Sequence, residues 1–210
     1  MMKNYQSFID LLDKEDKENC LIFINKLFEN GASVKDVYEE FLIPALADYN
    51  CNSDDEEICI WKEHARTSII RTILESTYIH LINQKKPSIK KTILVACPQL
   101  EYHEIGAIIA TNFFILEGFD AKYIGANTPT EQIISAVSIL KPDFLALSIT
   151  NYYNVVAVKK LTEMLKSLNP DLKIILGGQA TKNPRTLEQL EYDLIIKDYN
   201  DILKFKEGLI

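Results

Sequence analysis

The sequence predicts a helical bundle followed by a doubly wound α/β domain, and three observations support that expectation. Residues 4 to 84 hold apolar positions at helical spacing and no run that reads as a strand. From Lys91 onward, short apolar runs alternate with helical stretches, the pattern of a five-stranded parallel sheet with crossover helices. Between them lies Lys85-Lys86-Pro87-Ser88-Ile89-Lys90-Lys91, which reads as a solvated linker because Pro87 ends the preceding helix and the charges suit water. The expected domains are a bundle over residues 1–86 and an α/β domain over residues 91–210.

Within the bundle, Phe8, Leu11 and Leu12 begin a short amphipathic helix. A second runs from Glu18 to Asn30, with Leu21, Ile22, Ile24, Leu27 and Phe28 at helical spacing and Gly31 as a stop. Ser33 is the expected N-cap of a third, which passes through Val37, Phe41 and Leu42 and bends at Pro44, where one backbone bond is missing. The polar, acidic stretch from Asn50 to Glu57 reads as a loop, and a long fourth helix follows from about Ile58 to Gln84. Four helices with short connections make an antiparallel bundle. In the second domain, strands are expected over 92–96, 121–124, 144–149, 173–176 and 193–196. Helices are expected over 105–117, 130–140, 155–168, 186–190 and 201–208.

Composition narrows the function. Hydrophobic residues make up 47% and charged ones 25%, ordinary values for a soluble globular chain. No apolar run approaches the roughly 20 residues that a membrane helix needs. Met1 to Tyr5 lacks the apolar core of a signal peptide, so the cytoplasm is expected. A net charge of −7 argues against direct nucleic-acid binding, which needs clustered cations. The four cysteines, Cys20, Cys51, Cys59 and Cys97, show no C-x-x-C pair and are expected as free thiols. Neither nucleotide-binding glycine fingerprint is present, nor a G-x-S-x-G elbow. Three histidines and scattered thiols do not make a closed zinc site.

The chemistry concentrates in Cys97-Pro98-Gln99-Leu100-Glu101-Tyr102-His103-Glu104-Ile105-Gly106, between the first strand and its helix. Open parallel sheets place ligands at that end of their strands. His103 has a ring nitrogen to give to a metal, and the Glu101 carboxylate can hold the other nitrogen, fixing the tautomer. Gly125 and Asn127 close strand two, Ser148 and Thr150 strand three, and Gly177-Gly178 strand four, all on the same sheet edge. Each has a plain alternative: His103 as a helix cap, Glu101 as a solvated carboxylate, Ser148 and Thr150 as ordinary caps, the glycines as turn or packing residues.

Glu101-x-His103-x-x-Gly106 resembles the D-x-H-x-x-G signature of cobalamin (B12)-binding domains, with glutamate where that family has aspartate. Ser148-Ile149-Thr150 and Gly177-Gly178 are similar to the family's later elements and follow in order. In the bundle, Pro44-Ala45-Leu46 and Ile58-Cys59-Ile60-Trp61-Lys62-Glu63-His64 resemble the family's P-A-L and I-x-V-x-x-E-H. The resemblance implies a flavodoxin- or Rossmann-like sheet, a four-helix cap over the corrin, and His103 as the lower axial ligand of cobalt in place of the cofactor's own base.

The resemblance also implies cofactor contacts along the loop at Glu101, Tyr102, His103, Glu104, Ile105 and Gly106. Ser148 and Thr150 would bond the displaced base, Gly177 and Gly178 would leave room for it, and Gly125 and Asn127 would meet the corrin amides. Trp61, Glu63 and His64 would face the upper ligand, although Ser53 stands where light-sensing members carry a tryptophan. His80 is expected at the surface or against the linker. The expected role is a non-enzymatic sensor of adenosylcobalamin or methylcobalamin, possible as a photoreceptor and as a homo-oligomer. Such a sensor would signal to a protein partner and touch neither nucleic acid nor membrane itself. The alternatives are a corrinoid carrier serving separate methyltransferases, a relative that binds haem, and a signalling domain without cofactor. Ala107 stands where carriers commonly have lysine, which favours the sensor.

Overall fold

A computed structural model describes residues 2–49, 51 and 55–209, which fall into two compact units, Met1–Gln84 and Lys85–Ile210. In the first unit, α1 (Met2–Leu12) and α2 (Lys17–Glu29) bury Phe8, Leu12, Cys20 and Ile24. The rings of Phe8, Phe23 and Phe41 pack mutually, with centroids 5.6 to 5.9 Å apart. Asp16 caps α2 by accepting from the Asn19 N–H at 3.1 Å. Ser33 caps α3 (Val34–Val37) in a reciprocal box with Asp36.

The bend expected at Pro44 takes another form. The chain widens into a π turn over Tyr38–Leu42 before α4 (Ile43–Ala47), and the Ile43 N–H donates to the Tyr38 carbonyl. Pro44 cannot donate, and its ring would crowd the carbonyl four residues back, so the extra residue per turn accommodates it.

The long fourth helix is also divided, into α5 (Glu56–Ser76) and α6 (Tyr78–Gln84). At the break, the Thr77 hydroxyl donates to the Leu74 carbonyl at 2.8 Å and lies 2.8 Å from the Tyr38 hydroxyl. Hydroxyl back-bonding of this kind bends helices, and a partner 39 residues away is not visible in local periodicity. His80 is half-buried, and its ring stacks on Phe28 with centroids 4.0 Å apart.

A second correction concerns the cysteines. Cys51 and Cys59 form a disulfide, while Cys20 and Cys97 are free and buried. Cys59 lies near the start of α5, and the two Cα atoms are 5.4 Å apart, within bridging range. Ser53 lies outside the described residues.

The second unit is a five-stranded, all-parallel sheet in the order β2-β1-β3-β4-β5. Its strands are β1 (Thr92–Ala96), β2 (Asp120–Tyr123), β3 (Phe144–Ser148), β4 (Lys173–Gly177) and β5 (Leu194–Ile195). The helices are α7 (Ile105–Leu116), α8 (Thr130–Leu140), α9 (Val155–Leu168), α10 (Pro184–Leu187) and α11 (Tyr199–Glu207). Alternate residues serve the two faces. Leu94, Ala96, Leu145, Leu147, Ile174 and Leu176 join Ile133, Val137, Val158, Leu161 and Leu165 of α8 and α9 in one buried cluster. On the other face, Phe205 of α11 meets Phe144 edge-on at 4.9 Å and stacks on Phe119 at 5.5 Å.

The basic stretch is largely exposed, as expected of a linker, and it is also tied to the second unit. The Lys86 ammonium lies 2.8 Å from the fully buried carboxylate of Glu117, and the Lys91 ammonium lies 2.8 Å from Asp143. The Lys86 and Ile89 N–H groups donate to the Leu116 and Gly118 carbonyls. A buried carboxylate demands cations, so Glu117 recruits Lys86, while Lys91 pairs with the half-buried Asp143.

Candidate functional site

Strand order reverses between β1 and β3, and the carboxyl edge of an open parallel sheet at such a reversal is where ligands bind. The loop after β1 is fixed by its neighbours. The Cys97 N–H donates to the Gly125 carbonyl, the Thr128 N–H to the Cys97 carbonyl, and the Asn127 N–H to the Glu101 carbonyl at 2.8 Å. Gly125, with φ +122, and Asn127 therefore meet this loop through their backbones.

Glu101 turns inward and is 0% exposed. Its Oε1 lies 2.6 Å from Nδ1 of His103 and accepts from the His103 N–H at 3.1 Å. Its Oε2 accepts from the N–H groups of Thr150 and Asn151, each at 2.8 Å, just beyond β3. The solvated reading of Glu101 is thereby excluded. Burial alone would raise its pKa, but the donors from Asn151, His103 and Thr150 outweigh burial and hold it below the usual carboxylate range. An ionised Glu101 places the His103 proton on Nδ1 and leaves a lone pair on Nε2. The His103 side chain is 63% exposed, so this ring is tethered on one nitrogen and open to a ligand on the rest of its edge.

The other residues singled out in the sequence occupy varied positions. Tyr102 is exposed, and Glu104 accepts from the Tyr123 hydroxyl at 2.9 Å. Ile105 is buried at the start of α7. Gly106 is exposed, and a Cβ there would meet nothing within 4 Å, so close helix–strand packing does not explain it. Ser148 is buried in register with Gly177, with its hydroxyl directed to the Cys97 thiol. That thiol sits 3.7 Å from the Tyr123 hydroxyl, and burial pushes its pKa up to about 11, so it stays protonated.

Gly178 has φ +93, and a Cβ on it would lie 2.4 Å from the Ile149 carbonyl oxygen; this glycine is required by backbone meeting backbone. Trp61, Glu63 and His64 lie on exposed positions of α5 in the helical unit, and the Glu63 carbonyl accepts from the Thr67 hydroxyl.

Sequence reasoning missed Asn151, Asn154 and Tyr123. Asn154 donates to the Leu100 carbonyl at 3.0 Å and lies 3.5 Å from Glu101 Oε2. A polar run directly after a buried strand, Asn151-Tyr152-Tyr153-Asn154, was the available signal. Among the described residues, no group of three or more His, Cys, Asp and Glu side chains is arranged to hold a metal ion. A single outward imidazole fits a metal that brings its other ligands with it.

Two transcriptional repressors of the HTH type from Myxococcus xanthus are similar in sequence. CarA is 27% identical over 128 residues, and CarH is 25% identical over 147 residues. The matches cover 60% and 70% of this chain but only 42% and 48% of those proteins, so the chain spans less than half of either relative. The fold is that of the monomethylamine corrinoid protein of Methanosarcina barkeri, with TM-score 0.84 and 14% identity, covering 100% of this chain and 99% of that one. The methanol:cobalamin methyltransferase complex MtaBC from Methanosarcina barkeri matches with TM-score 0.53 and 16% identity, covering 99% of this chain and 79% of that one. Residues 91–203 match the family model of the B12 binding domain, and this chain therefore belongs to the B12-binding domain family.

Proposed function

We propose that this chain binds cobalamin with the His103 imidazole beneath cobalt and the cofactor's own base displaced, and that it works as a sensor of the bound form. The observation that supports this reading most is the Glu101–His103 pair at the strand-order reversal. The carboxylate fixes the tautomer through Nδ1 and directs the Nε2 lone pair outward. When bound, the cofactor supplies cobalt chemistry at its upper ligand, whether adenosyl or methyl.

The protein's own residues orient and enclose it. Ser148 and Thr150 lie at the carboxyl end of β3, where they would meet the displaced base, and Gly106 leaves open space at the start of α7 for the corrin. Gly177 lies beside Ser148 on the same edge, but the space at Gly177 and Gly178 is taken by the backbone of Ile196 and Ile149, so neither supports the room for the ribose that the resemblance implies. Trp61, Glu63 and His64 are proposed to face the upper ligand, so that its loss shifts the helical unit between two arrangements. The readout would pass to a protein partner or through self-association, in the cytoplasm and without catalysis by this chain. The similarity to CarA and CarH supports the sensor.

A second reading, a methyl carrier for separate methyltransferases, is favoured by the full-length match to a corrinoid protein of nearly the same extent. The two readings separate in one experiment. Purified protein is loaded in the dark with adenosylcobalamin or with methylcobalamin, then illuminated while spectrum and oligomer size are followed. A light-dependent change of oligomer size supports the sensor. Retention of the corrinoid with no change of size, and methyl transfer to an added methyltransferase subunit, supports the carrier. Failure to retain either corrinoid contradicts both.

A further inference from the structure

Leu100 holds a left-handed backbone, with φ +67, a region that residues other than Gly, Asn and Asp rarely visit. Both polar groups of this residue are held by asparagine side chains. Its N–H donates to Asn127 Oδ1 at 2.8 Å, and its carbonyl accepts from Asn154 Nδ2 at 3.0 Å.

Neither asparagine serves its own neighbourhood. Asn154 is buried and ends a short 3-10 turn, Tyr152–Asn154, that leads into α9 and is capped by Asn151 through the Tyr153 N–H. With the capping done by Asn151, the Asn154 side chain reaches a loop 54 residues away in sequence. Asn127 is itself left-handed, with φ +47, and its N–H also holds the Glu101 carbonyl. Leu100 breaks a local backbone rule with no local gain, which marks a position shaped by something else. The residue that follows the strained leucine is Glu101, and the Asn154 amide reaches within 3.5 Å of its Oε2.

We propose that Asn127 and Asn154 are positioning residues for the His103 imidazole. By clamping Leu100 in its left-handed turn, they send the Glu101 side chain inward onto Nδ1 and so fix the direction of the ring. Without the clamp, Leu100 relaxes to an extended backbone, the peptide before Glu101 rotates, and the carboxylate leaves its place between the two loops. The value of this clamp to cofactor binding rests on the reading of His103 as the lower axial donor. The clamp itself belongs to the cofactor-free protein and can be tested there.

The experiment uses the full chain labelled with nitrogen-15 at histidine, without cofactor and at neutral pH, and reads the His103 ring tautomer by NMR. Hydroxocobalamin is then titrated by absorbance. The wild type shows one tautomer, protonated on Nδ1. Asn154→Ala and Asn127→Ala give a mixture and weaken hydroxocobalamin binding about tenfold. Adding Leu100→Gly to Asn154→Ala restores much of both, because glycine takes the left-handed turn without a clamp. A residue that merely stabilises the fold would lower the melting temperature without moving the tautomer ratio.

Should Asn154→Ala fold poorly, Asn154→Ser keeps a small polar side chain at that buried position, removes the clamp and carries the same expectation. An unchanged tautomer ratio in folded Asn154 and Asn127 variants overturns the proposal, whatever cobalamin does. A shifted ratio in these variants, with a cobalamin spectrum indifferent to His103→Ala, supports the clamp and removes the ligand reading instead.

Discussion

Glu101 lies 2.6 Å from His103 Nδ1 through one oxygen and accepts the Thr150 and Asn151 N–H groups through the other. One carboxylate therefore joins the loops on either side of the strand-order reversal, and the ring that faces outward is set by a group that is wholly buried. Glu101→Ala removes the acceptor of three backbone N–H groups, those of His103, Thr150 and Asn151. It is expected to cost about 2–4 kcal/mol of stability, by orphaning buried donors. Glu101→Gln keeps an acceptor for the loop but offers a poorer partner to the ring, so it should cost less stability while still weakening cobalamin binding ~10-fold or more. Urea unfolding and a hydroxocobalamin titration on both variants check this. Equal losses of stability in the two would contradict it.

A pH dependence follows from Glu117. Burial alone would raise its pKa, but Lys86, the Tyr199 hydroxyl and Lys206 hold it below the usual carboxylate range. A carboxylate whose pKa is lowered by folding stabilises the protein above its unfolded value, about 4.5, and loses that contribution as pH falls through the lower folded value. The wild type should therefore lose stability more steeply than Glu117→Gln as pH is taken from 5 toward 3. Urea midpoints measured across that range decide it, and parallel curves would contradict the assignment.

Gly118 and Gly178 are required by space as well as by φ +93. A Cβ would lie 2.3 Å from the Pro87 carbonyl oxygen at the first and 2.4 Å from that of Ile149 at the second. Backbone cannot swing aside as a side chain can, so Gly118→Ala and Gly178→Ala should each destabilise by about 2 kcal/mol or more. Gly106→Ala meets open space and should be neutral or slightly stabilising in the cofactor-free protein. Thermal melts of the three variants give the comparison, and a destabilised Gly106→Ala would show that its surroundings are misjudged.

The Cys51–Cys59 disulfide closes a short loop at the start of α5, with a sequence separation of 8. Loop-closure entropy for that length corresponds to about 2–3 kcal/mol. Reduction, or Cys51→Ser with Cys59→Ser, should lower the stability of the helical unit by that order and leave the α/β unit's own transition in place. Calorimetry with and without a thiol reductant measures it, and an unchanged first transition would contradict the staple.

Much of this architecture was legible because its signals are local. The alternation of Leu94, Ala96, Leu145 and Leu147 with residues of the opposite face, the cap at Ser33 and the E-x-H-x-x-G spacing all lie in short windows of sequence. What escaped depends on partners far along the chain. The break at Thr77 answers to Tyr38, the pairing of Lys86 with buried Glu117 ties the linker to the second unit, and Asn154 works on Leu100, 54 residues away. Burial of Glu101 was likewise hidden, since its second oxygen is satisfied by N–H groups 49 and 50 residues away.

The central claim is that the His103 imidazole coordinates cobalt from below. It is tested most directly by the absorption spectrum of hydroxocobalamin bound to wild-type protein and to His103→Ala, with nitrogen superhyperfine splitting of the reduced Co(II) form read by electron paramagnetic resonance. The wild type should show one axial nitrogen, and growth on nitrogen-15 histidine should alter its splitting. The variant should lose that nitrogen and shift to the spectrum of a corrinoid without one. A splitting that survives in His103→Ala, or that ignores the histidine label, would contradict the account.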